Sequence, residues 1–343
     1  MGFLDTGGNV LLFRLHGKEV GPYMQALHFA FGLGALASPM FLSLFLNDTY
    51  IVDGVAVADP RSLRTPFLVF GAAFLPVAGC LCFVWVTGRS HQPTPTSSQV
   101  EGENGDATGG ELQISSAVLE GRRGWLHTLH GYVGASATEQ GVVLCTAAIL
   151  FFYVGAEVGA GAYLAPYGRK ALDLPASTAA RLAFVFWLSI SLGRFAAIFI
   201  SLKVGPAKML FMDILGSLIV SVVYLLLASS SSAVWLCTAL YGFCMASIFP
   251  SSLALGESYV DITGKKATVI VLGASSGEML IPWVLGYSMS LVSNAMLFVT
   301  FLLTAAAMLI QLGLIVFFGE RHQQNRSCHV KHISLQPMDT VVP

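Results

Sequence analysis

Eight blocks of mostly apolar residues organise this chain: residues 22–46, 65–87, 143–166, 179–202, 207–228, 232–255, 266–290 and 294–319. About 20 such residues make a helix long enough to cross the hydrocarbon core of a bilayer. Each block therefore predicts a membrane-crossing helix. Residues 1–13 are apolar apart from Asp5, Thr6 and Asn9, and predict the tail of a ninth helix, too short to cross alone. The acid at position 5 and the lack of a basic start argue against a signal peptide.

Between the second and third blocks, residues 88–142 turn polar and rich in Gly, Ser, Thr and acid, as in SHQPTPTSSQVEGENGDATGGE. That composition predicts a disordered linker. Residues 320–343 are polar as well and predict a loose tail. The domains expected are a partial transmembrane half over 1–87, the linker over 88–142, a complete six-helix half over 143–319 and the tail over 320–343. Many secondary transporters join two six-helix halves by a long cytoplasmic loop. On that plan the first half is expected to lack its first three helices and most of the fourth.

Composition narrows the function. Of 343 residues, 55% are hydrophobic and 11% charged, against about 25% charged in a soluble domain. This excludes a cytosolic enzyme, a nucleic-acid binder and a disordered chain. Lys plus Arg is 18 and Asp plus Glu is 19, so there is no basic excess to attract phosphates. Five of the six cysteines lie in apolar runs and read as small buried hydrophobes. No nucleophile–base pair, metal cluster or phosphate loop is visible, so neither an enzyme nor a bound cofactor is expected.

Charge also orients the chain. If the loop after residue 13 is cytoplasmic, twelve Lys and Arg fall in cytoplasmic segments and five outside, as the positive-inside rule prefers. Both the linker and the C-terminal tail are then cytoplasmic. The outer loop 47–63 carries Asn47-Asp48-Thr49, a glycosylation acceptor pattern on the correct side. Asn325-Arg326-Ser327 has the same pattern but falls in the cytoplasmic tail and is expected to be silent.

A charge in mid-membrane costs about 2.5–3.5 kcal/mol on insertion scales, so each one asks for a reason. Asp5 and Asn9 share a helix face, Gln25 and His28 are three apart early in a block, and Glu157 and Glu278 are far from either membrane face. One reading places these in a central cavity facing a polar solute or a cation. The other is a hydrogen bond between helices. Glu257 and Asp213 lie nearer the cytoplasmic face, where a helix–helix salt bridge or a gate contact explains either. Gly155, Gly159, Gly161, Gly273 and Gly277 allow close helix packing. Pro250 and Pro282 interrupt their blocks and free backbone carbonyls. Trp187, Trp283 and Tyr163 are aromatic candidates for stacking on a sugar ring, with ordinary packing as the alternative.

Six stretches, in order, carry a resemblance: LDTGGNVLLFRLHGKE, QALHFAFGLGALASP, YVGAEVGAGAYLAPYG, FWLSISLGRFAAIFIS, GFCMASIFPSSLALGESY and GASSGEMLIPWVLGYSM. They resemble the fourth, fifth, seventh, eighth, tenth and eleventh helices of the major facilitator superfamily. Within it, the likeness is to the fucose-permease-like sugar porters and their sodium-dependent glucose transporter group. The resemblance implies an all-α polytopic fold with a sugar site between two halves. Here the first half is reduced to the end of helix four with helices five and six, and the second is complete. It also implies a substrate site that includes Asp5, Asn9, Gln25, His28 and Glu157, to which the reading of the polar and aromatic positions adds Glu278 and Trp283. Gly193 and Arg194 match a cytoplasmic gate turn, where the Arg is expected to bind helix ends or an acid, and Glu257 is counted with them.

The function expected is cation-coupled uptake of glucose or a related hexose across the plasma membrane. Na⁺ as the coupling ion comes from the resemblance alone. A carboxylate among apolar residues could equally carry a proton. The contrasting expectation is a truncated, non-transporting membrane protein.

Overall fold

The computed structural model describes residues 3–43, 49–52, 55–58, 64–89 and 136–334. The elements are α1 (Phe3–His16), α2 (Gly21–Ser43), a hairpin of β1 (Thr49–Val52) and β2 (Val55–Ala58), α3 (Arg64–Arg89), α4 (Ala137–Ala171), α5 (Ala176–Ile200), α6 (Pro206–Leu226), α7 (Ser231–Met245), α8 (Ile248–Tyr259), α9 (Gly264–Leu291) and α10 (Met296–Ser334). Six stretches among the described residues are long and apolar enough to cross a membrane: α4, α5 from Thr178, α6, α7 with α8, α9, and α10 to Ser327.

The chain divides into two compact units, residues 1–36 with 122–343, and residues 37–121. The division falls inside α2. The apolar faces of α1 and the start of α2 are covered by the six-helix bundle: Phe13, Val20 and Met24 belong to its core. In the smaller unit, α3 exposes Phe67, Leu68, Phe74, Leu75 and Phe83, a surface suited to lipid or another helix. Cys80 and Cys82 are exposed on it too, so they are not the buried hydrophobes expected. The hairpin pairs Thr49 with Ala58 and Val52 with Val55. Its signal was the Asp53-Gly54 dipeptide between two β-branched runs.

Three boundaries differ from expectation. α4 begins before residue 143 because Ser136 caps it: Glu139 N–H donates to Ser136 Oγ at 3.2 Å, in the Ser-x-x-Glu pattern of a helix start. α10 runs on to Ser334, so residues 320–334 are helical, not loose. No Gly or Pro falls between Gly319 and Pro337, and a helix once formed extends cheaply. The span expected over 232–255 is two helices with a break at Ala246 and Ser247. Pro250 has no N–H to give the carbonyl four residues before it, that of Ala246.

In the larger unit α4 is the most buried of the six spans. It lies against α9 so closely that a Cβ on Gly277 would enter the carbonyl of Phe151. An aromatic layer locks α6, α7 and α10: Tyr224 stacks on Phe298 at 4.2 Å and Tyr241 on Phe301 at 4.4 Å. Tyr224 also donates to Thr238 Oγ1 at 2.7 Å. Leu226, Leu236, Leu272 and Ile310 point outward, the surface a bilayer covers.

Candidate functional site

The polar interior is concentrated where α2, α4, α5 and the α7–α8 break meet. Its centre is Arg194 on α5, 1% exposed. Its Nη2 donates to Glu157 Oε1 on α4 at 2.8 Å and to the Tyr153 hydroxyl at 3.0 Å. Its Nε donates to Ala246 O at 3.3 Å, the carbonyl that Pro250 leaves open. Its Nη1 donates to His28 O on α2 at 3.3 Å, and the Phe31 ring lies 5.9 Å away. One guanidinium therefore neutralises an acid, replaces a missing backbone donor and holds α2. Such a fork of fixed donors is what Arg offers and Lys does not.

Gly193 permits this. A Cβ there would sit 2.5 Å from Ala246 Cβ and 3.0 Å from Phe243 O, so α5 touches the break backbone to backbone. That approach brings the Arg194 side chain within reach of the freed carbonyl.

Gln25 and His28 lie one turn apart on the buried face of α2. Gln25 Nε2 donates to Ser251 Oγ at 3.3 Å, and the His28 ring packs 4.5 Å from Phe249. Gln25 Oε1 and His28 Nε2 are buried without a hydrogen-bond partner. Leaving such an atom open costs about 1–3 kcal/mol, and a ligand's polar groups would remove that cost.

Other expected residues lie apart. Asn9 is buried on α1, which packs on α9. Asp5 falls in α1 with its side chain outside the described residues, and Asn47 is outside them altogether. Glu278, half-buried on α9, is not a partner of Arg194, and Trp283 is 69% exposed on the same helix. Glu257 accepts from Ile262 N at 2.7 Å and closes the turn after α8. Asp213 makes neither a salt bridge nor a charged gate contact among the described residues; it accepts from the Ser247 hydroxyl. Neither ion pair among the described residues includes Asp213, and the cavity it lines has no cationic side chain in its wall. Tyr153 was not anticipated. Its signal was its place four residues before Glu157, on the same helix face.

Residues 1–282 match the family model of the Major Facilitator Superfamily. The chain belongs to that superfamily. It is thus a multi-pass membrane protein of a transporter family rather than of an enzyme family. Among relatives, it is 30% identical over 318 residues to sodium-dependent glucose transporter 1 of Danio rerio, covering 86% of this chain and 48% of that protein. It is 30% identical over 308 residues to the Homo sapiens protein of the same name, covering 83% and 53%. The chain spans about half the length of these relatives. Among solved structures it is similar to the Major Facilitator Superfamily transporter FucP in its outward conformation, with a TM-score of 0.60 at 18% identity over 92% of this chain and 72% of that one. In this superfamily chain the pair of Glu157 and Arg194 joins two consecutive spans of one six-helix bundle.

Proposed function

We propose that the chain serves cation-coupled uptake of glucose or a related hexose by alternating access. In this reading it sits in the plasma membrane with its C-terminus cytoplasmic and the loop carrying Asn47 outside. The carrying observation is the pair of open buried polar atoms, Gln25 Oε1 and His28 Nε2, beside the Arg194–Glu157 pair. Sugar hydroxyls donate and accept at once, so they suit an amide oxygen, an imidazole nitrogen and a carboxylate that stand together. The names of the relatives support glucose as the substrate and Na⁺ as the coupling ion. A proton is the second reading. It is favoured by Asp213, a buried carboxylate with no cationic partner among the described residues. It also agrees with the likeness to FucP, which is a fucose:proton symporter.

The test is uptake of labelled glucose in cells expressing the chain, with Na⁺ present or replaced and external pH varied. His28→Ala and Gln25→Ala variants run alongside. Saturable uptake reduced tenfold or more by either variant supports the site. Uptake that follows pH and ignores Na⁺ replaces the first ion with the second. No uptake despite surface expression overturns transport by this chain alone.

A further inference from the structure

The carboxylate of Asp213 ends a chain of hydrogen bonds that crosses three helices. Gln25 Nε2 on α2 donates to Ser251 Oγ on α8 at 3.3 Å. Ser251 Oγ donates to Ser247 Oγ at the helix break at 3.4 Å, and Ser247 Oγ donates to Asp213 Oδ2 on α6. With Asp213 ionised, every donor of this chain points toward the carboxylate, since a carboxylate only accepts.

The surroundings do not compensate that charge. Asp213 lines a cavity of about 130 Å³ between α5, α6 and α7 whose other walls include Gly193, Ala197, Met209, Met212 and Phe243. Cys244 on α7 is the titratable neighbour that interacts with it. On the far side α10 brings Leu309, Leu312 and Val316 to α6. Neither ion pair among the described residues involves Asp213. A charge in such a place needs a partner or must be neutralised. One hydroxyl and one carboxylate are too few oxygens for Na⁺, which must replace most of its hydration shell. A proton needs only the carboxylate.

A route for a proton is present. Gln25 and Ser251 line a chamber of about 30 Å³, room for a single water. This chamber shares Gly21, Ser201, Pro206 and Ala254 with a cavity of about 460 Å³ at the end of the bundle that carries the α5–α6 loop.

The geometry points to Asp213 as a proton-binding site, supplied from that cavity through Ser251 and Ser247, whose occupancy sets which atom of Gln25 faces the chamber. The chamber water takes up a proton from the cavity, passes one to Ser251 Oγ and is left neutral. Ser251 passes its own proton to Ser247, and Ser247 passes its own to Asp213. No charge is left on either serine, and each hydroxyl now points the other way. Ser251 then donates toward α2, and the acceptor available is Gln25 Oε1, the atom left open in the present polarity. Turning the amide to accept there presents its NH₂ to the chamber. Loading Asp213 thus exchanges a hydrogen-bond acceptor for a donor on α2. The inference rests on the transporter reading only for its use, since proton binding is read without sugar or transport.

The experiment is infrared difference spectroscopy on the purified chain, titrated in pH with and without Na⁺. One protonated-carboxyl C=O band is expected to titrate and to be lost in Asp213→Asn. Glu157→Gln keeps that band, because the band belongs to Asp213 and Glu157 is already paired with Arg194. Ser247→Ala keeps it as well but moves it to higher frequency, as for a carboxyl that has lost a hydrogen-bond partner. A spectrum unchanged by Asp213→Asn overturns the assignment. So does a band that disappears on adding Na⁺ at constant pH, which makes the site one for Na⁺. A glucose-inactive chain that retains the band leaves the proton site standing and removes only the sugar reading.

Discussion

Glu157 and Asp213 are two carboxylates inside the same six-helix bundle, and their surroundings treat them in opposite ways. Glu157 has a guanidinium 2.8 Å away, and that guanidinium is itself shared with Tyr153 and two backbone carbonyls. Asp213 has one serine hydroxyl and apolar walls. The first charge is balanced by the protein and can stay. The second is balanced by no fixed cation among the described residues, which is what makes it the candidate for a proton that comes and goes. A polar residue in a membrane span is thus not one kind of feature: a paired charge pins helices together, and an unpaired one invites a mobile ion.

The contrast can be broken first at Arg194. Arg194→Leu leaves Glu157 buried and unpaired and Ala246 O without a donor, and should cost about 3–5 kcal/mol, read as a large drop in melting temperature of the purified chain in detergent. The double variant Arg194→Leu with Glu157→Gln should recover part of that loss, which a purely steric role for Arg194 would not allow. Next, Gly193→Ala drives a methyl against Ala246 and should cost about 1–3 kcal/mol by overpacking while leaving the charges in place. Tyr153→Phe removes one donor–acceptor contact from an otherwise intact pair and should cost about 1 kcal/mol. Smallest of all, Asp213→Asn should change stability by less than about 1 kcal/mol, because the amide oxygen still accepts from Ser247 and no fixed partner is stranded. A melting-temperature loss as large as that of Arg194→Leu would erase the distinction drawn between the two acids.

The positions of the spans were legible because apolar length is set by the bilayer and is written in consecutive residues. Their ends were not, since Ser136 and the Gly-free, Pro-free run after Gly319 act through capping and helix continuation, which hydropathy does not register. Glu157, Arg194, Gln25 and His28 were each conspicuous as polar groups in apolar blocks. Their assembly was not, because pairing across helices depends on rotation and depth that a single chain does not display. Pro250 announced a freed carbonyl, but the donor that answers it comes from 52 positions before that carbonyl in the chain. Asp213 invited a salt bridge by its depth alone, and only the walls around it show that no described cation reaches it.

The pairing of Glu157 with Arg194 has a consequence for biosynthesis. The two residues lie on α4 and α5, consecutive spans joined by the short segment 172–175. Each charge alone would oppose entry into lipid by about 2.5–3.5 kcal/mol. Emerging one after the other, the two helices can leave the translocation machinery as a hairpin whose charges have already cancelled. The break at Ala246 is made later and finds its donor waiting. The order of synthesis therefore delivers the clamp before the joint it must hold.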